Sequence, residues 1–315
     1  MIVTVTPNPG LDRTLTVSRI TFDEMIRASG SRLDWGGKGF NVSRALHALG
    51  AKSVATGFVG GPTGQMLSRG LEGMGISTDL LPIAGETRTN TVVTEAGSGR
   101  YVKVNEPGPT VQPEELAAFL DRVRSRIRRG DLWALCGSLP PGVPLGFYAQ
   151  LVRLLQAGGA QVLLDASGAP LTLACSAGPY LVKPNAAEAA QVTGQEIQSE
   201  ADALEAIQFF LQQGVTLVAL SLGARGLLLG ARQRVVRAVP PPIQARNPVG
   251  AGDALLGGLA WALDRRLPQD EVARWGVAAG TAAAMRDGVG VGTRAEVQAI
   301  YQRIRPQVLG PVTSR

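Results

Sequence analysis

Histidine and cysteine are nearly absent from this chain of 315 residues, which holds one of the former and two of the latter. Cys136 and Cys175 lie far apart and form no Cys-x-x-Cys or Cys/His pairing, so neither a structural zinc site nor a disulfide framework is expected. His47 sits in a helical pattern from Val42 to Leu49 with no metal-binding companion, which makes it a helix-face residue and disfavours a Ser/His/Asp hydrolase. Lysine is scarce as well: it stands only at 38, 52, 103 and 183, and every other basic residue is arginine. No apolar run approaches the roughly 18 residues that span a bilayer, and Met1 to Thr6 lack the basic region and apolar stretch of a secretion signal. The expectation is a soluble, cytoplasmic protein with no membrane partner. Two nucleotide-binding patterns are also missing, the G-x-x-x-x-G-K-[ST] loop and a strand-following G-x-G-x-x-G. Phosphate chemistry of the P-loop kind is therefore excluded, and the run from Gly288 to Gly292, which follows an expected helix, reads as a turn.

The chain carries 45% apolar residues, 40 Gly and 20 Pro. At about 150 residues per domain this suits one large or two ordinary domains with a sizeable core. A net charge of +6 and a pI near 9.8 raise the possibility of a polyanionic partner. The arginines, however, are dispersed among acids, and the densest group, Arg122 to Arg129, alternates with Val123 and Ile127 as the outer face of a helix does, so no nucleic-acid partner is expected. Short β-branched or apolar runs alternate with helical periods, the pattern of a mostly parallel sheet with helices on both faces. Strands are expected at 2–6, 53–58, 132–136, 161–165, 180–182, 216–221, 226–229 and 235–238. Helices are expected near 39–49, 63–74, 113–128, 145–156, 186–193, 199–213, 251–263, 269–285 and 295–303. Two stretches break the alternation, 13–33 and 87–105, the latter reading as two strands about the turn at Glu95 to Gly99. Together they form a small β-sheet, read either as a lid over a cleft or as exposed hairpins. The end of the chain from Leu309 reads as frayed.

Four segments carry chemistry. In Asn247-Pro248-Val249-Gly250-Ala251-Gly252-Asp253, small residues open a helix and leave backbone amides that, with the helix dipole, make an anion site. Asp253 there is placed either as a proton acceptor or as an ordinary aspartate favoured by the dipole. In Trp35-Gly36-Gly37-Lys38-Gly39-Phe40-Asn41, glycines admit close approach while Lys38 and Asn41 can donate hydrogen bonds; a tight turn is the other reading. Asp12, shortly after the first strand, and Asn41 both face the sheet edge where α/β sites form. Lys183-Pro184-Asn185-Ala186-Ala187-Glu188 fits a capping box through Asn185 and Glu188, and equally a carboxamide and carboxylate beside Mg²⁺ and nucleotide phosphates. Ser221 to Gly226 makes a glycine turn after a strand.

In this order the segments resemble the PfkB carbohydrate kinase family of the ribokinase-like fold, across nearly the whole chain. Gly36 to Ala45 is similar to the family's first signature and Asn247 to Asp253, with the following helix, to the second. The opening Thr4 to Asp12, the Gly-Gly-Lys-Gly form at 36 and Asn105-Glu106-Pro107-Gly108-Pro109 resemble its sugar-phosphate branch, which includes 1-phosphofructokinases, tagatose-6-phosphate kinases and a 6-phosphofructokinase. The resemblance implies a three-layer α/β/α sandwich in one domain over 1–315, with a lid inserted at about 13–33 and 87–105. It implies ATP-dependent phosphorylation of a phosphorylated ketohexose, with Mg²⁺ and a homodimer formed through the lid. Residue by residue, it makes Asp253 the general base and the amides of Gly250, Ala251 and Gly252 the anion hole. Asp12, Gly37, Lys38 and Asn41 match positions that hold sugar hydroxyls, and Arg88, Lys103 and Arg27 positions near the substrate phosphate. Lys183, Asn185 and Glu188 match the nucleotide and Mg²⁺ side, and Ser221, Gly223 and Gly226 the loop near the ATP phosphates and ribose. Two departures, Ala254 and Gly10, remove no charged group. An unphosphorylated sugar or nucleoside kinase would leave Arg88 and Lys103 without a phosphate, and a non-catalytic sugar-phosphate sensor would not require Asp253.

Overall fold

A computed structural model describes residues 1–310 apart from 287 and 289. Its strands are β1 (Ile2–Thr6), β2 (Gly10–Val17), β3 (Gly30–Gly36), β4 (Ser53–Val59), β5 (Ser77–Pro82), β6 (Arg88–Glu95), β7 (Tyr101–Val104), β8 (Leu132–Cys136), β9 (Gln161–Asp165), β10 (Leu181–Val182), β11 (Leu217–Ser221), β12 (Leu227–Ala231), β13 (Arg234–Ala238) and β14 (Gln307–Gly310). Its helices are α1 (Lys38–Ala48), α2 (Gly61–Gly73), α3 (Pro113–Arg126), α4 (Phe147–Ala157), α5 (Gly168–Cys175), α6 (Ala186–Thr193), α7 (Glu200–Gln212), α8 (Ala251–Asp264), α9 (Gln269–Ala284) and α10 (Arg294–Arg303). No helix among the described residues is long and apolar enough to cross a membrane.

Ten strands form one sheet in the order β14-β13-β12-β11-β10-β9-β8-β1-β4-β5. From β5 to β11 all neighbours run parallel, and β12, β13 and β14 close the other edge antiparallel. The apolar runs explain this placement, because a parallel strand is covered on both faces and needs apolar residues at odd and even positions alike. In β8, Trp133 and Leu135 pack with Phe119, Phe147 and Phe210 on one face. Leu132, Ala134 and Cys136 pack with Leu256, Leu259 and Val277 on the other. The sheet thus lies between two helical layers, the three-layer sandwich expected from the resemblance.

A second sheet, β3-β2-β6-β7, stands apart from the first. It is the small sheet expected from the two interruptions, although β2 begins at Gly10 and β3 runs on to Gly36, so both reach the sheet edge rather than stopping short of it. Three elements went unforeseen. β5 is an edge strand with no alternation, α5 is a short apolar stretch with no helical period, and β14 pairs with β13 where Leu309 and Gly310 were expected to fray. The residues from 311 onward, and 287 and 289 around the glycine run, lie outside the described residues.

Candidate active site

Helices α1 and α8 carry the two signature segments, and their packing brings them together. Thr4 of β1 and Ser43 of α1 share a hydroxyl hydrogen bond of 2.8 Å, and Ser53 donates to Ser43 at 3.0 Å, which pins α1 to two parallel strands. A Cβ on Gly257 of α8 would stand 2.7 Å from that of Ala45 of α1, so the helices approach as closely as only glycine allows. The indole of Trp261 donates to the Leu49 carbonyl at 3.1 Å and holds the far end. Across this contact the Asn41 carboxamide donates to Asp253 Oδ2 at 2.8 Å, and Arg44 donates to the side-chain oxygen Oδ1 of Asn41 at 3.4 Å.

Asp253 is 8% exposed, in the first turn of α8. Burial, with the negative charge of Asp165 nearby, pushes its carboxyl up to about 6, against the pull of the Asn41 hydrogen bond and of Lys38 and Lys183. Gly250 caps the helix in the left-handed conformation, φ 83°, and turns the chain so that the first amides of α8 point outward. Lys183 Nζ lies 3.5 Å from where a Cβ on Gly252 would stand, so an ammonium faces this helix start. Two positive features, the amides with their dipole and Lys183, converge where Asp253 supplies a basic oxygen.

Asp165 links the rest. It ends β9, is 1% exposed, and binds Lys38 Nζ at 2.9 Å and Lys183 Nζ at 3.0 Å. Burial opposes its charge, but the two ammoniums hold its carboxyl below the ordinary range. Desolvation likewise opposes the charge of Lys38, yet Asp165 and Glu188 raise its pKa. The sequence reading missed Asp165. Its one signal was an acid closing the apolar run Gln161 to Asp165, at the strand end where α/β sites gather.

On one side lies the Lys183 to Glu188 segment. Asn185 Oδ1 accepts from the Glu188 amide at 2.8 Å, and Glu188 Oε2 accepts from the Asn185 amide at 3.0 Å, a complete capping box for α6. Glu188 Oε1 keeps only a 3.9 Å approach to Lys38. The Ser221 amide and hydroxyl both donate to the Pro184 carbonyl, which ties the turn holding Gly223 and Gly226 to this segment. Among the described residues no three His, Cys, Asp or Glu side chains form a metal cluster. One carboxylate oxygen free of hydrogen bonds fits an ion that takes its other ligands from phosphates and water, as Mg²⁺ beside a nucleotide does.

On the other side the small sheet meets the edge. Asp12 of β2 accepts from Asn90 Nδ2 at 2.8 Å, and its second oxygen lies 2.6 Å from where a Cβ on Gly36 would stand. Arg88 donates to the carbonyls of Asn8 and Glu106, at 2.9 Å each, beside a cavity of about 560 Å³. Thr6 Oγ1, Asn8 Oδ1, Arg88 Nε and Asn90 Oδ1 are buried polar atoms without a hydrogen-bond partner, an unusual gathering for a finished core. Asn8 and Asn90 escaped the sequence reading because a lone asparagine carries no pattern. Lys103, on β7, is exposed, and Arg27 is exposed on the connection between β2 and β3; no described contact joins either to Asp12 or Asp253.

A buried, hydrogen-bonded aspartate thus stands at a glycine-capped helix start, with lysines beside it at the edge of a doubly covered parallel sheet, an arrangement chemically suited to proton abstraction next to an anion. The model of the pfkB family carbohydrate kinases matches residues 10–295, and the chain belongs to that family. It is 35% identical over 312 residues to the 1-phosphofructokinase of Rhodobacter capsulatus, covering 99% of each chain. Phosphofructokinase-2 from Escherichia coli in complex with potassium superposes with a TM-score of 0.92 at 31% identity, covering 96% of this chain and 98% of that one. The same enzyme in complex with fructose-6-phosphate gives a TM-score of 0.90 at the same identity and coverage.

Proposed function

We propose that the chain is an ATP-dependent 1-phosphofructokinase, which moves the γ-phosphoryl group of ATP onto a free hydroxyl of fructose 1-phosphate to give a fructose bisphosphate and ADP. The observation that carries this reading is the Asn41–Asp253 pair at the start of α8 with Lys183 beside it. In the mechanism, Asp253 Oδ1 takes the proton of the acceptor hydroxyl while Asn41 holds Oδ2, and the hydroxyl oxygen forms its bond to phosphorus as the bond to the ADP oxygen breaks. A base with a pKa near 6 is ionised at neutral pH yet still proton-accepting. The amides of Gly250, Ala251 and Gly252 and the Lys183 ammonium take the charge that builds on the phosphoryl oxygens. Asp165 positions Lys183 and Lys38, and Lys38, Gly37 and Asp12 face the sugar. Glu188, with Asn185, would hold Mg²⁺, which neutralises phosphate charge when bound. Ser221, Gly223 and Gly226 line the nucleotide side.

The small sheet is assigned as a lid that brings Arg88, Lys103 and Arg27 to the substrate phosphate and excludes water. The unpartnered polar atoms of Asn8, Arg88 and Asn90 support a polar substrate at its root. Strand β7 supports a homodimer through this sheet, because its exposed edge presents Tyr101, Val102 and Val104. A second substrate, fructose 6-phosphate, has the E. coli complex in its favour.

The test is ADP release with Mg²⁺-ATP over fructose 1-phosphate, fructose 6-phosphate, tagatose 6-phosphate, free fructose, ribose and adenosine, with Asp253→Asn as control. Turnover confined to fructose 1-phosphate and lost in the control is expected. Preference for another acceptor would replace the substrate, and full turnover in the control would remove Asp253 from its role.

A further inference from the structure

The side chain of Asn41 stands between an acceptor and a donor. Its Nδ2 donates to Asp253 Oδ2 at 2.8 Å, and its Oδ1 accepts at 3.4 Å from Arg44, one turn further along α1. Arg44 is half-buried; burial opposes its charge, while Asp34 of β3, within electrostatic reach, favours it. Asp34 accepts from Arg32 Nε at 2.8 Å and is the register partner of Asp12 across the β2–β3 pair. A line of polar interactions thus runs from a strand of the small sheet, through Arg44 and Asn41, to Asp253.

A carboxamide can turn over, exchanging its oxygen for its nitrogen, and the two orientations suit different protonation states of the group it faces. Nitrogen toward Asp253 favours the carboxylate, which only accepts. Oxygen toward Asp253 favours the protonated carboxyl, which has a proton to donate. A guanidinium carries donors alone, so Arg44 can hold only the oxygen of Asn41. We propose that Arg44 is a positioning residue that locks the Asn41 carboxamide with its nitrogen toward Asp253, and that Asp34 ties this lock to the small sheet. Without Asp34 the desolvation of Arg44 is uncompensated, so the guanidinium turns to water and the carboxamide is free to rotate. Asp165 at the end of β9, Lys38 at the start of α1 and Lys183 after β10 also act on Asp253, and substitutions at 34 and 44 leave them in place. Cys136 of β8 is near as well, but burial keeps its thiol protonated. The part of Asp253 as base rests on the proposed function; the lock itself does not.

Carboxyl NMR of the full chain, with aspartate labelled and the Asp253 resonance identified by its loss in Asp253→Asn, reads the titration without any substrate. The parent midpoint is expected at about 6. Arg44→Met should raise it by about 0.5–1 in pH, the equivalent of one hydrogen bond. Asn41→Ala should raise it too, and Arg44→Met added to Asn41→Ala should change nothing further, because the lock acts through the carboxamide. An equal rise from Arg44→Met with Asn41 present or absent is direct loss of a nearby positive charge and overturns the lock, as does an unmoved midpoint. Asp34→Asn separates the causes by sign, since loss of a nearby carboxylate by itself lowers the Asp253 midpoint whereas release of Arg44 raises it. A rise is expected; a fall or no change removes Asp34 from the lock. Thermal midpoints check that each variant folds, and Asp34→Asn decides the sign even if Arg44→Met does not fold. The acidic limb of kcat, at saturating ATP and fructose 1-phosphate, should move with the titration. A titration that moves without the limb upholds the lock and removes Asp253 as the base, so the two readings fail separately.

Discussion

Asp253 sets opposite demands on activity and stability. As the proposed base it must be ionised, so kcat should fall as pH drops through about 6. Asp253→Asn should cost roughly 10²–10⁴-fold in kcat at pH 7.5, read by ADP release. Its effect on stability runs the other way. A carboxyl whose folded pKa lies above its unfolded value near 3.9 destabilises the fold as pH rises between the two values. Asp253→Asn removes that cost, so its thermal midpoint should exceed the parent's at pH 7.5 and match it near pH 4. Asn41 supplies the opposing pull, because its hydrogen bond favours the ionised form. Asn41→Ala should therefore move the acidic limb of the pH profile to higher pH; an unmoved or lowered limb would contradict this account. At this scale the motifs named Asp253, Asn41, Lys38 and Lys183, but not Asp165, which binds both lysines from a strand that carries no motif.

Helix α6 holds two readings of the same pair of residues, and chemistry can separate them. Asn185→Ala removes a cap that accepts from the Glu188 amide and should cost about 1 kcal/mol in denaturant unfolding. Glu188→Gln keeps a side-chain oxygen for the Asn185 amide, since glutamine serves in the same box, but loses the charge. It should unfold within about 0.5 kcal/mol of the parent. If Glu188 holds Mg²⁺ the same variant will need several-fold more metal for half-maximal turnover; an unchanged requirement leaves it a capping residue. The capping box was legible from residue spacing alone. The place of the box beside Ser221 was not, because that contact joins residues far apart in the chain through a parallel crossover.

For the whole molecule, the proposed function makes the small sheet the place where substrate selection and assembly meet. Lys103→Met should raise KM for fructose 1-phosphate about tenfold while leaving KM for ATP unchanged, because the proposal places Lys103 at the phosphate of the sugar and not at those of the nucleotide. Equal effects on both would place Lys103 elsewhere. Sedimentation should find a dimer for the parent and a monomer for Val104→Asp, whose charge falls on the exposed edge of β7. A monomeric parent would remove the dimer. Both sheet interruptions were visible as breaks in the alternation of strands and helices. Their pairing order was not, since β2 joins β6 in parallel across residues that contain a whole βαβ unit.

The sequence by itself determined the layered architecture, because short apolar runs that alternate with amphipathic helical periods are the pattern of strands covered on both faces, although the apolar stretch of α5 is a helix; it also determined the chemical character of the two helix starts. It also determined the limits of β1, β8, β9 and α6, where apolar content and capping residues act locally. Tertiary structure alone decided which side chains meet. The approach of α1 to α8 at Gly257 joins Asn41 to Asp253, and the sheet order that sets β9 beside β10 lets one buried carboxylate hold two lysines. Electrostatic interactions depend on distance and burial, and neither is written in the spacing of residues along a chain.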